Sequence, residues 1–181
     1  HQGYMEPNAA VASVDGADRV TVWTNNRIPH LCQSLIGRWL DLPLHKTRVI
    51  PTAIGGCFGG KIYPRLDALC VALSLRTRRP VKMVATRTEE FTMFGGRHPG
   101  VFRLKTGVKK DGTITARQVE VIFDTGAVEG YVFISSMGAV TALGPYNIPH
   151  IKVDSYVVYT NRVGAASYRG VGTSQGAWAG E

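Results

Sequence analysis

With 181 residues, 44% hydrophobic and 19% charged, the chain suits one sizeable packed domain or two small ones and is not a disordered polymer. A net charge of +8 and a pI near 9.7 favour an anionic cofactor, an acidic partner or nucleic acid, but the cations fall in small groups without interleaved aromatics: Arg76, Arg78, Arg79 and Lys82, then Lys105, Lys109 and Lys110. Nucleic acid is therefore disfavoured, and so is a membrane span, because the most apolar stretch, residues 128–143, is interrupted by Glu129, Gly130, Ser135, Ser136 and Gly138 and reads as buried.

The chain opens at His1 without an initiator methionine and is expected to be a piece of something longer. In "DRVTVWTNN" the alternation of Val20, Val22 and Thr24 predicts a half-buried strand. "PHLCQSLIGRWLDLP" places Leu31, Leu35 and Trp39 on one stripe with Cys32, Ile36 and Leu40 beside it, an amphipathic helix ended before Pro43. "KTRVIPTAI" is a short strand. It runs into "GGCFGGK", where four glycines, a phenylalanine and a lysine share residues 55–61. Beyond it Leu66, Leu69, Cys70 and Leu73 repeat at helical spacing up to Pro80, and "PVKMVAT" is a strand. "FGGRHPG", residues 94–99 and beyond, either joins two lobes or turns. Asp111-Gly112 between two alternating runs predicts a hairpin, and "HIKVDSYVVYTN" predicts a further strand. The fold class is α+β, mixed sheets with helices packed on one face.

Cysteine usage excludes a zinc site: Cys32, Cys57 and Cys70 have no CxxC spacing, fit a reducing, cytoplasmic compartment, and Cys32 and Cys70 read as core fillers. No residue is assigned as a metal ligand. The three tryptophans, Trp23, Trp39 and Trp178, are expected in the core. His1 and His30 read as surface or packed imidazoles, and His98 either orders a loop near a ligand or belongs to a plain hydrogen-bonded turn.

The glycine loop permits a close backbone approach to a bulky group and sharp bends at positive φ. As a P-loop it fails, because Ile62 stands where a magnesium-ligating hydroxyl is needed and "VIFD", ending at Asp124, is a weak second motif. A tight packing turn is the plain alternative. A second glycine-rich element, "YRGVGTSQGAWAGE", pairs Arg169 with Gly170 and Gly172 and then offers Thr173, Ser174 and Gln175 as hydrogen-bonding groups.

Together these loops resemble those of the molybdenum hydroxylases, the family of xanthine dehydrogenase and aldehyde oxidase. "GGCFGGK" is similar to that family's GGGFGGK, with Cys57 replacing the third glycine, and "SYRGVGTSQ" is similar to its AYRGFGxPQ. "HQGYMEP", "GRHP", "DGTITA", "DTGA" and "YNIPHI" follow in the family's order, so the resemblance covers nearly all of the chain but only part of the usual catalytic subunit. It implies a molybdenum–pyranopterin cofactor, commonly the cytosine dinucleotide in bacteria, held by backbone amides at Gly56, Cys57, Phe58 and Gly59 and around Arg169 and Gly170. It also implies hydroxylation of an electron-poor carbon with oxygen from water, with 2Fe–2S and FAD centres in partner subunits or domains and the remainder of the large subunit completing the site.

Residue by residue the resemblance says more about the substrate. Arg27, beside Asn26, stands where many members carry an oxo-binding glutamine. Ile62, Met137 and Val171 replace three residues of the purine-specific enzymes, which disfavours xanthine. Gly170 replaces the copper-bearing cysteine of the carbon monoxide dehydrogenases. No segment matches the general-base glutamate, so the catalytic residue is unknown and this chain alone is expected to be inactive; Glu181 falls at a helix position and is assigned to structure. Lys61 either meets a phosphate of the dinucleotide tail or stands as a solvated ammonium.

Overall fold

Two alanines on the inner face of a strand, Ala10 and Ala12, set up the first sheet by letting a helix lie close against it. The computed structural model describes residues 1–128 and 133–181 in two units, His1–Met93 and Phe94–Glu181. Glu129 and Gly130, taken above as breaks in the apolar stretch, lie outside the described residues.

The first unit runs β1 (Ala9–Val14), β2 (Val20–Thr24), α1 (Pro29–Trp39), a short 3-10 turn (Leu44–Lys46), β3 (Thr47–Pro51), α2 (Leu66–Thr77), β4 (Val81–Val84) and α3 (Arg87–Met93). Its sheet has the order β3-β2-β1-β4, antiparallel except for the parallel pair β2/β3. Val20, Val22 and Thr24 point inward as the alternation predicts. Pro29 opens α1 where its missing N–H costs nothing. The buried stripe of α1 is Cys32, Ile36 and Gly37, and that of α2 is Leu66, Asp67, Cys70, Val71 and Ser74.

The expected helix faces are therefore rotated. Leu69 and Leu73 are exposed, as are all three tryptophans, with Trp178 82% accessible. Cys32 and Cys70 are core residues; burial pushes both thiols up, Cys70 to about 11, and the Cys70 thiol donates to the Ala10 carbonyl at 3.5 Å. Strand β1 and helix α3 carry no strong alternation or periodicity. Thr86 and Glu89 nevertheless form a capping box at the start of α3, the Thr86 N–H donating to Glu89 Oε2 at 2.7 Å and the Glu89 N–H to Thr86 Oγ1 at 3.2 Å.

The second unit runs β5 (Gly100–Val108), β6 (Ile114–Gly126), α4 (Ile134–Thr141), β7 (His150–Tyr159) and α5 (Thr173–Gly180). Strand β6 is central, antiparallel to β5 and parallel to β7, and α4 lies on the crossover that a parallel pair requires. The expected hairpin is present, with Gly112 at φ 89° and its N–H donating to Lys109 O. Val119, Val121 and Phe123 alternate inward from β6 against Ile134, Ala139 and Ala142. The buried Arg117 guanidinium donates to the Ala142 and Leu143 carbonyls at 3.3 and 2.9 Å, where α4 leaves acceptors unpaired and its dipole is negative. Asp124, once a candidate magnesium partner, accepts from the Thr160 hydroxyl and the Gly126 N–H and closes the end of β6.

Helix α5 lies on α4 through glycines four residues apart, Gly172, Gly176 and Gly180. A Cβ at Gly176 would lie 2.1 Å from Thr141 Oγ1 and 2.4 Å from Gly138 O, so the two backbones are closer than any other residue permits. Gly176→Ala is expected to cost about 1–3 kcal/mol in equilibrium urea unfolding through overpacking. Gly16→Ala, whose Cβ would meet nothing within 4 Å, should stay within about 0.5 kcal/mol.

Candidate functional site

In the first unit the glycine loop is moulded on the opening segment of the chain. The Gly60 N–H donates to Cys57 O at 2.8 Å, closing a turn whose two central residues, Phe58 and Gly59, sit at φ 48° and 102°. Positive φ at both positions is the signature of a primed turn, where a phenylalanine at the first position is out of place and strained. The Phe58 ring is nonetheless 45% exposed, so no core packing compensates for that strain. Gly60 is needed for a different reason: its Cβ would lie 2.5 Å from Tyr4 Cε1.

Lys61 ends the loop and is fully buried. Its ammonium donates to Glu6 Oε2 at 2.7 Å and lies 4.7 Å from the centre of the Tyr4 ring. Neither sequence alternative for Lys61 holds, since a cation enclosed by a carboxylate and an aromatic face is neither solvated nor open to a phosphate. The same contact removes the P-loop reading. The Gly55 N–H also donates to Glu6 Oε2, at 2.8 Å, and the Glu6 N–H donates to Gly55 O at 3.2 Å. Partial burial, the largest single influence, pushes the Glu6 carboxyl up, but the bonds from Lys61 and Gly55 outweigh it and hold the group below the usual glutamate range.

Tyr4 continues the chain of contacts into α3. Its hydroxyl donates to Glu90 Oε2 at 2.5 Å and accepts from Asn8 Nδ2 at 2.8 Å, and the Asn8 N–H donates to Glu90 Oε1. Glu90 is fully buried. Burial first, and the hydrogen bond to Glu90 second, raise the Tyr4 phenol well above its ordinary value, so it remains a neutral donor.

Arg27 is tied to this loop by its backbone, its N–H donating to Lys61 O at 2.7 Å while Asn26 Nδ2 donates to Ile62 O at 3.2 Å. The Arg27 side chain is exposed. Gly56, Cys57, Phe58 and Gly59 are consecutive in the first unit, and Arg27 joins the end of their loop at Lys61.

Arg169 and Gly170 belong to the second unit. Both are exposed, and Gly170 and Gly172 take φ 72° and 71°. Arg97, from "GRHP", donates through Nη2 to Arg169 O at 2.7 Å and through Nη1 to Gly170 O at 3.0 Å and Gln175 Oε1 at 3.1 Å. Gln175 Nε2 donates in turn to His98 O at 2.8 Å. The His98 ring is buried and edge-on to Phe123, and among the described residues neither of its nitrogens has a hydrogen-bond partner; burial lowers its pKa. The imidazole therefore makes no plain hydrogen-bonded turn. Sequence reasoning missed Tyr4, Glu6, Glu90 and Arg97 as organisers of the loops. The signal for Tyr4, Glu6 and Arg97 lies in "HQGYMEP" and "GRHP", which periodicity does not weigh; Glu90, in "RTEEF", carries none. Among the described residues no three His, Cys, Asp or Glu side chains gather in a metal-ligand arrangement, and no helix is long and apolar enough to cross a membrane.

The family model described as the molybdopterin cofactor-binding domain matches residues 1–181. The chain belongs to that family. This molybdopterin-binding domain is 38% identical over 95% of its length to the nicotinate dehydrogenase large molybdopterin subunit of Eubacterium barkeri, of which it spans 41%. It is 33% identical over 98% of its length to an indole-3-acetaldehyde oxidase of Zea mays, of which it spans 13%. Among solved structures it resembles quinoline 2-oxidoreductase from Pseudomonas putida 86, with a TM-score of 0.86 and 26% identity over 94% of this chain and 22% of that one. Aldehyde oxidoreductase from Desulfovibrio gigas gives a TM-score of 0.85 and 26% identity over 97% of this chain and 19% of that one. These matches bear out the α+β class and the assignment to the large subunits of the molybdenum hydroxylases.

Two outcomes are expected of the domain's glycine loop. Glu6→Gln strands a buried ammonium and should cost about 2 kcal/mol in urea unfolding, less than a wholly buried pair because Glu6 is partly open to solvent. Because the folded carboxyl lies below its unfolded value, the wild-type advantage should be full above the ordinary glutamate range and vanish as pH falls through the folded value. At the turn, Phe58→Asn should raise stability by about 0.5–1 kcal/mol and Phe58→Val lower it by about 1 kcal/mol, since asparagine tolerates positive φ and a β-branched residue does not.

Proposed function

We propose that this domain holds the molybdenum–pyranopterin of a hydroxylase that oxidises an N-heterocyclic, aromatic or aldehyde substrate with oxygen derived from water. The observation that carries the reading is Phe58, a non-glycine residue kept at φ 48° on an exposed turn that core packing does not demand. Strain retained at an exposed site points to a task performed there. Backbone amides of residues 56–59 suit oxo and phosphate oxygens because they donate without ionising, and Arg27, exposed and bonded through its backbone to Lys61 at the loop's end, is a permanent cation. The backbone around Arg169 and Gly170 is assigned the same task.

When bound, the cofactor supplies the redox chemistry; the residues of this chain bind and orient it. The cytosine dinucleotide form and the 2Fe–2S and FAD partners are what the family resemblance implies, and a cytoplasmic setting is read from the cysteine usage. The substrate class is supported by the names of the relatives, two of which refer to the N-heterocycles nicotinate and quinoline and two to aldehydes. A carbon monoxide dehydrogenase has a similar structure, with a TM-score of 0.83, but Gly170 stands where the resemblance places the copper-bearing cysteine, which sets that substrate aside. The general base is assigned to the part of the large subunit outside this chain.

A second reading, a fold retained without its cofactor, is favoured by the loop glycines whose Cβ positions are taken by protein atoms, as at Gly55 and Gly60. Molybdenum and pterin analysis of the full-length enzyme carrying this chain separates the two. The first reading expects close to one molybdenum and one pterin per chain, and turnover of a nicotinate, quinoline or aldehyde panel; a purified enzyme devoid of both would overturn it.

A further inference from the structure

We infer that Arg97 is the positioning residue of the arginine loop: its guanidinium grips the carbonyl side of residues 169 and 170 and so determines which way the amides of Gly170 and Val171 point. The inference rests on the assignment of that loop to the cofactor. A planar guanidinium presents parallel donors, and here two of its arms meet two successive carbonyls, Nη2 on Arg169 O at 2.7 Å and Nη1 on Gly170 O at 3.0 Å. In a planar trans peptide the C=O and the following N–H are antiparallel, and among the described residues no peptide is cis. Holding the Arg169 carbonyl therefore directs the Gly170 N–H away from Arg97, and holding the Gly170 carbonyl does the same for the Val171 N–H.

The grip is itself held from three sides. Nη1 also meets Gln175 Oε1 at 3.1 Å, and the Gln175 amide is fixed at its other end by His98 O. The guanidinium carbon lies 4.4 Å from the centre of the Tyr168 ring. The Gly170 carbonyl, besides Arg97, accepts from Ser174 N at 3.2 Å and Ser174 Oγ at 3.1 Å. With three donors on one carbonyl, the peptide that follows is polarised toward stronger donation at its N–H. Gly170 and Gly172, both at positive φ, supply the bends but have no side chains with which to maintain them. Lysine keeps the charge at residue 97 and loses the fork, since one ammonium cannot span both carbonyls in that plane.

The test uses the full-length enzyme as purified, wild type and with Arg97→Lys, and with Gln175→Leu as a milder change that removes one arm and keeps the cation. Three quantities are read: amide hydrogen exchange over residues 168–175 and 114–126, molybdenum and pterin retained on dialysis, and the unfolding midpoint. For Arg97→Lys we expect at least tenfold faster exchange in 168–175 with 114–126 unchanged, and about tenfold faster loss of molybdenum and pterin. Gln175→Leu should fall between that variant and wild type. Wild-type exchange in 168–175 of Arg97→Lys overturns the inference, as does acceleration of both segments together with a lowered midpoint, which marks general destabilisation. A loop that loosens in Arg97→Lys while the wild-type enzyme holds no molybdenum or pterin overturns the cofactor reading and leaves the grip standing.

Discussion

Taking the Lys61 ammonium wholly out of water is tolerable only because Glu6 and the face of Tyr4 replace its hydration. The arrangement of the first unit's loop follows from that replacement. Glu6 is held in place because its carboxylate also takes the Gly55 amide, and Tyr4 because its hydroxyl is bound by the buried Glu90. One buried charge thus joins residues 1–8, the glycine loop and α3. The general constraint is that a stretch of glycines has no side chains with which to hold itself, so its shape is imposed from other segments.

The second unit meets the same constraint with the opposite polarity. There a cation, Arg97, reaches the carbonyls of the arginine loop, whereas in the first unit a carboxylate reaches a loop amide. The glycine stripe of α5 then seats that loop against α4, where a methyl group at Gly176 would meet Thr141 and Gly138. Much of the glycine content answers to packing and bends. Phe58, exposed and at positive φ between Cys57 and Gly59, answers to neither.

Elements whose own side chains decide their burial were legible in the sequence. Val20 and Val22 alternate into the core, Asp111-Gly112 makes its hairpin, and the two glycine loops stand out because nothing else in the chain has their composition. Strand β1 escaped because its inner residues are alanines, small for the sake of α2 and weak as a hydrophobic signal. The tryptophans mislead because bulk does not fix burial: Trp23 takes the outward position of β2 and Trp39 the exposed end of α1, while the buried face of α1 is Cys32, Ile36 and Gly37. Lys61 was read as a surface or ligand-facing cation because the partner that buries it lies 55 residues away. The family resemblance carried the cofactor, which no pattern of periodicity contains.

Residues 1–8 have their partners far along the chain: Glu6 waits for Lys61, and Tyr4 and Asn8 for Glu90. The glycine loop therefore lies, in sequence, between its first support in residues 1–8 and the acidic residue of α3 that locks that support. Full support of the loop comes only with Glu90, so opening α3 alone releases the Tyr4 and Asn8 contacts that brace it.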